Sequence, residues 1–447
     1  MDIAGFLMPQ RTFKIITLGC KVNQYESAYL EERLRESGWL KVSKSDQADL
    51  TIINTCIVTN RASSQSRQAI RKAIKENPSG LIAAVGCYAQ VFPEELSRIK
   101  GIGMLAGNLE KGRLPDTLLK RGDSGRLQVF PINFKKKIPF EYLPLKGFSD
   151  RTRSFLKIQD GCESFCSYCI VPFARGPFRS LEPSKVISAL QSLCDNDYKE
   201  VVLTGVHLGM YGVDLKGSTE LKGLLRMIGK ERLPLRIRLG SLEPTEIDQD
   251  LIDMMASEEW LCRHFHISLQ SGDDLVLKKM NRHYTSREFE GLVRSIHLKI
   301  PLAAIGLDII AGFPGEGCAA YRNSYSLIRD LPVSYLHVFP FSPRKGTSAA
   351  GFPGQIGQDL IKKRARILRE LGREKREAFH RSCLGEEVSV LAEGWHPQKE
   401  GTIKGFSDNY LSVIFRSSYL VKNRILKVRV EDVANGTVIG IPLSSSF

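Results

Sequence analysis

A loop that carries Cys162, Cys166 and Cys169 within eight residues has to wrap around whatever its thiols hold, and it follows directly on a short apolar strand candidate, 154–158. Ten cysteines scattered at random over 447 residues would give this C-x-x-x-C-x-x-C spacing only about 0.005 times. Thiolate is the soft ligand that iron-sulfur clusters take, so three of them on one tight loop suit three corners of a 4Fe-4S cubane and leave the fourth iron open. A zinc knuckle would want a fourth Cys or His close by. The nearest later cysteine is Cys194 and the first downstream histidine is His207, both far along the chain.

The flanking sequence reads as alternating strands and helices. In the first 133 residues, strand candidates 13–18, 50–53 and 81–85 alternate with helical segments 26–37 and 61–76, which implies a parallel sheet covered on both faces. Cys20, Cys56 and Cys87 each follow one of these strands. Parallel strands deliver their carboxyl ends to one edge, so these three thiols are expected to converge and to hold a second cluster with an open iron. A single such cysteine could equally be a core residue. Cys194, Cys262, Cys318 and Cys383 show no ligand spacing.

A basic, Pro-containing stretch within 134–150 reads as a linker. A second alternating series fills 151–380, with strand candidates 154–158, 200–204, 235–240, 265–269, 304–310 and 335–340 and helices such as 184–194 and 286–299. Six units make a partial barrel, since a full one takes eight. A charged helix is expected over 361–382, with nine Lys/Arg and three acids, and within a last domain, 381–447, the stretch 387–443 alternates apolar and polar positions between Gly and Asn turns as a small antiparallel β-barrel does. The fold class is therefore α/β with an added β-barrel.

The formal charge of +15 suits a polyanionic partner. No run of about 18 apolar residues is present, and Met1–Pro9 lacks a basic segment ahead of an apolar one, so a cytoplasmic protein with reduced thiols and no membrane partner is expected.

These residues resemble the methylthiotransferase family of radical S-adenosylmethionine (SAM) enzymes over nearly the whole chain. Gly19–Ser27, Asn54–Cys56 and Gly86–Gln90 look like the three segments of its N-terminal domain, and Gly161–Gly176 is similar to its radical SAM loop. His266–Gly272, Met280–Arg282 and Asp308–Glu316 look like its later barrel strands, and the C-terminal barrel is similar to the RNA-binding TRAM domain. Lys21-Val22-Asn23-Gln24 and Arg61–Arg67 resemble the branch acting on N6-threonylcarbamoyladenosine beside the tRNA anticodon. Eukaryotic relatives of that branch end in a membrane-anchoring tail; with the chain ending at Phe447, a soluble bacterial or archaeal type is expected.

The resemblance implies two 4Fe-4S clusters, SAM used twice, tRNA as partner through its anticodon stem-loop, and a reducing electron donor such as a flavodoxin or ferredoxin. Sulfur at the Cys20/Cys56/Cys87 cluster would accept a methyl group, while a 5′-deoxyadenosyl radical generated at the other cluster would take hydrogen from C2 of the adenine. No catalytic triad or general base is expected, because the cofactors carry the hard step. Radical SAM proteins hold SAM from the strand ends, which makes Gly205, Ser241, Glu243, Gln270, Ser271, Ile309 and Gly312 the candidates here. Tyr410, Phe415 and Trp395 are available for RNA stacking, with barrel core as the alternative, most of all for Phe415. Arg61, Arg67 and Arg71 face either substrate or the cluster loop. Rival readings keep the chemistry but place it on isopentenyladenosine or a ribosomal-protein aspartate, or make the chain an iron-sulfur RNA-binding electron carrier.

Overall fold

The computed structural model describes residues 10–120, 127–130, 134, 138–148, 151–217, 219–434 and 436–443. Met1–Pro9, Lys135–Lys137 and Phe447 lie outside them. Among the described residues no helix is long and apolar enough to cross a membrane.

The N-terminal sheet is formed by β1 (Thr12–Thr17), β2 (Leu40–Lys41), β3 (Leu50–Thr55), β4 (Leu81–Gly86), β5 (Met104–Ala106) and β6 (Gln128–Val129). They run in the order β2-β1-β3-β4-β5-β6, every pair parallel. Every residue of β3 is buried, as a strand covered on both faces must be. The first helix spans Lys21–Glu36 and so begins five residues ahead of the expected Glu26. Its first two turns read as largely polar, yet Asn23 and Glu26 are buried there.

Residues 138–148 have no regular secondary structure, in keeping with a connecting segment. They nevertheless form a strap: Leu143 and Leu145 are buried, and Tyr25 Oη donates to the Leu143 carbonyl at 2.5 Å.

The central part holds β7 (Ser154–Lys157), β8 (Gln159–Asp160), β9 (Arg179–Ser180), β10 (Glu200–Thr204), β11 (Arg236–Leu239), β12 (Ser241–Leu242), β13 (His264–Gln270), β14 (Ala304–Ala311) and β15 (Tyr335–Pro340). Two parallel sheets, β11-β10-β7 and β12-β13-β14-β15, join where the chain passes from β11 through Gly240 into β12. The six strand positions of this open barrel coincide with those expected from sequence. The helices Pro183–Asp195 and Ser286–Lys299 pack outside it. The charged helix runs over Gln358–Ser382 and buries Ile361, Ala365, Leu368 and Leu371. Its seven exposed bases, Lys362, Lys363, Arg366, Arg369, Arg373, Arg376 and Arg381, lie off that apolar stripe.

The C-terminal strands β16 (Glu387–Trp395), β17 (Thr402–Ser407), β18 (Ser412–Arg416), β19 (Ile425–Ala434) and β20 (Thr437–Pro442) close into a barrel. Four of its ladders are antiparallel; closure is made by a parallel pair, β18 with β20, which the expected all-antiparallel pattern did not include. Ionic locks dock this barrel beneath the central one. Glu200 pairs with Arg236 and Arg238, and the two guanidinium groups donate onward to the carbonyls of Ser389, Phe406, Ser407 and Asp408 at 2.6–2.9 Å.

Candidate functional site

Cys20, Cys56 and Cys87 come together as the parallel sheet requires. Strands β1, β3 and β4 are neighbours, and their register sets Thr17 beside Asn54 and Asn54 beside Val85, so the three cysteines leave the sheet at one edge. Cys20 caps the helix Lys21–Glu36, and Cys87 opens the short helix Cys87–Val91. Gly19 has φ +97°, and a Cβ placed there would lie 2.9 Å from the Cys56 sulfur. Only glycine leaves room for that thiol. The edge is braced by polar side chains from the same segments. Asn23 donates to the carbonyls of Leu18 and Thr55, Asn54 to the Asn23 carbonyl, and Ser66 Oγ both accepts from the Cys56 amide and donates to its carbonyl.

Burial pushes the Cys20 thiol up, with the neighbouring Cys87 adding to the rise and Arg175 opposing it. Cys20 is nonetheless accessible to solvent, unlike Cys56 and Cys87, which are buried. Cys56 is pushed up to about 11 by burial and by Cys87.

The second loop is closed by the β8–β9 pair and by the Cys162 amide donating to the Gly176 carbonyl at 2.9 Å. Gly161, at φ +80°, has no space for a Cβ, which would lie 1.8 Å from the Pro177 carbonyl oxygen. Met280-Asn281-Arg282 grips the loop from β13's far side: Asn281 donates to the Ser164 carbonyl, the Ser167 amide donates to that of Met280, and Arg282 Nη1 donates to Cys166 Sγ at 3.5 Å. His207 Nδ1 lies 3.5 Å from Cys162 Sγ, and His207 Nε2 pairs with Glu246 at 2.5 Å. Burial works against it, yet hydrogen bonds with His207 and Ser164 hold the Cys162 thiol below its ordinary range. Burial pushes Cys169 up to about 12. Distance along the chain was thus a poor guide to the neighbours of this loop, since His207 reaches it from 45 residues away.

Donor spacing tests what such triads can hold. A tetrahedral zinc, about 2.3 Å from each sulfur, would pull the sulfurs to about 3.8 Å apart. Neither triad has all three sulfurs within 4.8 Å of one another; among the described residues the group that meets that limit is His266, Asp308 and His337. A cubane spreads its thiolates over separate iron atoms, so it asks for wider sulfur spacing than a single ion does.

The two triads face each other across a buried ion cluster. Arg175, six residues beyond Cys169, makes a two-pronged pair with Glu26 at 2.5 and 3.1 Å and donates to Asn23 Oδ1 at 2.6 Å. Lys111 and Lys157 also pair with Glu26, and Lys157, Arg175 and Arg179 with Asp160. Four cations thus surround two carboxylates, with Glu141 also within electrostatic reach, and Arg175 and Lys111 are the two that lie near Cys87. Against the effect of burial, Arg175, Lys111 and Lys157 hold Glu26 well below the usual carboxylate range. Asn108 completes the bridge by donating to the Ala174 carbonyl at 2.6 Å and to Cys87 Sγ at 3.5 Å. From the barrel end, Arg344 bonds Asn60 and Ser63 on the helix behind Cys56.

The strand-end candidates separate by orientation. Gly205 packs on Gln159, Ser241 is exposed, and Glu243 is ion-paired with Arg282. Gln270, partly exposed, has φ +62°. Ser271 is turned away, buried against Ser324, and the Ile309 side chain lies in the outer core. Gly312, at φ +83°, has a Cβ position 2.4 Å from Ile361, so it admits the long helix. Of the RNA-stacking candidates, Phe415 is small-barrel core, the reading its alternating strand favoured, whereas Tyr410 is corrected: it stacks on His264 at 4.4 Å, plugging the central barrel. Trp395 is 45% exposed. Arg67 is bonded to Tyr88, whereas Arg61 and Arg71 are exposed. Sequence reasoning missed His207, Asn108 and the Lys111–Glu26–Lys157 ions, which carried no spacing signal.

Residues 12–107 match an uncharacterized protein family, UPF0004, and residues 156–325 match the radical SAM superfamily. The threonylcarbamoyladenosine tRNA methylthiotransferase MtaB of Bacillus subtilis is 36% identical over 93% of this chain and 92% of its own length. The protein of that name from Aquifex aeolicus is 37% identical over 84% and 91%. The tRNA-2-methylthio-N(6)-dimethylallyladenosine synthase of Fusobacterium nucleatum is 31% identical over 95% and 98%. Among solved structures, the radical S-adenosylmethionine methyltransferase TsrM from Kitasatospora setae shares the fold, with a TM-score of 0.52 at 16% identity over 76% of this chain and 75% of that one.

Proposed function

Because this chain belongs to the MtaB-like radical SAM methylthiotransferases, we propose that it converts N6-threonylcarbamoyladenosine at position 37 of tRNA to its 2-methylthio derivative. The observation that carries this reading is the convergence of Cys20, Cys56 and Cys87 at one sheet edge, joined to the Cys162/Cys166/Cys169 loop through Arg175, Ala174 and Asn108. In this proposal Cys162, Cys166 and Cys169 hold one 4Fe-4S cluster and Cys20, Cys56 and Cys87 the other. Bound clusters and SAM supply radical cleavage of the C2–H bond and the methylthio group that replaces the hydrogen.

The chain's own residues do the placing. Arg282 and His207 direct N–H groups at Cys166 and Cys162, and Asn108 one at Cys87, each favouring the more anionic state of the sulfur it touches. Arg175 sets its positive charge against the first triad and fixes the angle between the two halves. SAM is assigned to the barrel strand ends, near Gly205, Ser241, Glu243, Gln270 and Gly312, with Ser271 and Ile309 able to contribute backbone groups only.

The N-terminal sheet domain is read as the auxiliary-cluster domain and the C-terminal barrel as a TRAM RNA-binding module, with Trp395 and the exposed bases of the helix Gln358–Ser382 toward RNA. A flavodoxin or ferredoxin supplies electrons, in the cytoplasm. The relatives named for threonylcarbamoyladenosine are 33–37% identical and those named for dimethylallyladenosine 30–32%, which favours the first substrate.

The test is anaerobic reaction of the iron-loaded protein with SAM, reductant and tRNA bearing either modified adenosine, followed by mass spectrometry of nucleosides. Methylthiolation of the threonylcarbamoyl nucleoside is expected. Reaction only with the isopentenyl nucleoside would move the substrate, and absence of 5′-deoxyadenosine would reduce the protein to an RNA-binding electron carrier.

A further inference from the structure

The inner face of the central barrel carries a polar cluster that neither triad uses. His264 and His266 on β13, Asp308 on β14, and Tyr335 and His337 on β15 occupy alternate positions and so share that face. Asp308 Oδ1 lies 2.8 Å from His266 Nε2 and 3.3 Å from His337 Nδ1. His266 Nδ1 is 3.1 Å from Tyr335 Oη, which is 2.7 Å from His264 Nε2. A single assignment of protons satisfies this chain: His264 Nε2–H donates to Tyr335, Tyr335 O–H to His266 Nδ1, and His266 Nε2–H to Asp308. His337 then donates through Nδ1 and keeps Nε2 free.

The cluster is closed below and open at the side. Tyr410 covers His264, and the Arg238 guanidinium sits 5.1 Å over the Tyr410 ring. At the unclosed edge of the six-stranded barrel, the His337 side chain is 51% exposed and Phe339, next on the same face of β15, is 43% exposed. Lys21 enters from the first triad's side. It is the first residue of the helix that Cys20 caps, and its ammonium, largely buried, lies within electrostatic reach of Arg238 and Arg153 and then of Asp308.

An apolar prenyl group in this space would strand donors and acceptors away from water, whereas a carboxylate, a carbamoyl and a hydroxyl would pair with them. We propose that His337, Lys21 and the His266-held Asp308 form the subsite for the polar, carboxylate-bearing N6 substituent of the substrate adenosine. Phe339 offers the adjacent stacking face for its base. The assignment rests on the threonylcarbamoyl reading above.

Binding without reductant isolates this role from chemistry. The affinities of iron-loaded wild type, His337→Leu, His337→Gln and Lys21→Met are measured for anticodon stem-loops with threonylcarbamoyladenosine, isopentenyladenosine or plain adenosine at position 37. Wild type is expected to prefer the threonylcarbamoyl RNA over the plain one by about tenfold or more, His337→Leu and Lys21→Met to lose most of that ratio, and His337→Gln to recover part of it. A ratio retained in both His337→Leu and Lys21→Met overturns the subsite and leaves the substrate reading standing. A wild type that prefers isopentenyl or plain RNA overturns the reading and the subsite with it. A metal ion retained when all six triad cysteines are replaced, and lost with Asp308→Asn, would give the cluster to a metal and overturn the proposal.

Discussion

The two cysteine triads offer the same three donors by opposite means. Cys162, Cys166 and Cys169 lie on one loop whose shape is set locally, by the β8–β9 pair and the turn at Gly161. Cys20, Cys56 and Cys87 come from three strands, brought together by the sheet's register and braced there by Asn23, Asn54 and Ser66. A local triad tolerates distortion elsewhere; a sheet-borne one inherits every error in packing. Charge divides the thiols differently: hydrogen bonds lower Cys162 in the loop, while burial raises Cys169 in the same loop as it raises Cys20 and Cys56 in the sheet.

The comparison is broken most severely at the point the triads share. Glu26 is the common partner of Arg175, Lys111 and Lys157, all nearly fully buried. Glu26→Ala leaves Lys111 without an anion and Lys157 and Arg175 with Asp160 alone, and breaking a buried pair of this kind costs about 3–5 kcal/mol. Urea denaturation of the anaerobic holoprotein should show a loss of that size. A loss under about 1 kcal/mol would mean that water or Asp160 replaces Glu26 and that the halves are independent.

Substitution at a single glycine should separate the triads. Gly19→Val combines an unfavourable φ with a collision at the Cys56 sulfur, so iron should fall from about eight to about four per chain, with the loop's cluster retained. Loss of all iron would show that the local triad depends on the sheet-borne one.

What was legible in sequence follows the same division. The six barrel strands and the three strand-end cysteines could be read because apolar runs and parallel-sheet geometry fix where a strand ends and which edge it faces. The loop triad could be read from spacing alone. Residues that tune the thiols could not: Arg282 reaches Cys166 from 116 positions away and Asn108 reaches Cys87 from 21, and no local pattern records such contacts. Lys111 is fully buried in a stretch that reads as surface, because its partner Glu26 belongs to another element. Tyr410 was expected toward RNA because a polar loop residue at φ +68° carries no sign that it will dock against a barrel floor.

Thiol reactivity sharpens the contrast at the level of single groups. In cluster-free protein at pH 8, Cys162 should be alkylated well ahead of Cys56 and Cys169, whose thiols at about 11 and about 12 leave almost no thiolate. The sign follows from protonation: a thiol held low exposes its nucleophile at lower pH, and one held high delays it. His207→Leu removes the bond that lowers Cys162 and should slow its labelling about tenfold, measured by mass spectrometry. Unchanged labelling would show that Ser164 alone sets this thiol.

The smallest expected effect compares one N–H···S contact on each side. Asn108→Leu removes the donor to Cys87, and Arg282→Leu the charged donor to Cys166. Donation to sulfur favours the more negative, reduced state, so each loss should lower the potential of its own cluster only. For the neutral amide the shift should be about 20–40 mV, the one-electron equivalent of roughly 0.5–1 kcal/mol. Arg282 carries a full charge and should give the larger shift. Redox titration followed by EPR separates the two signals. If Asn108→Leu moved the loop cluster as much as the sheet-borne one, the amide would be acting through its bond to the Ala174 carbonyl, and the triads would be electrically one site.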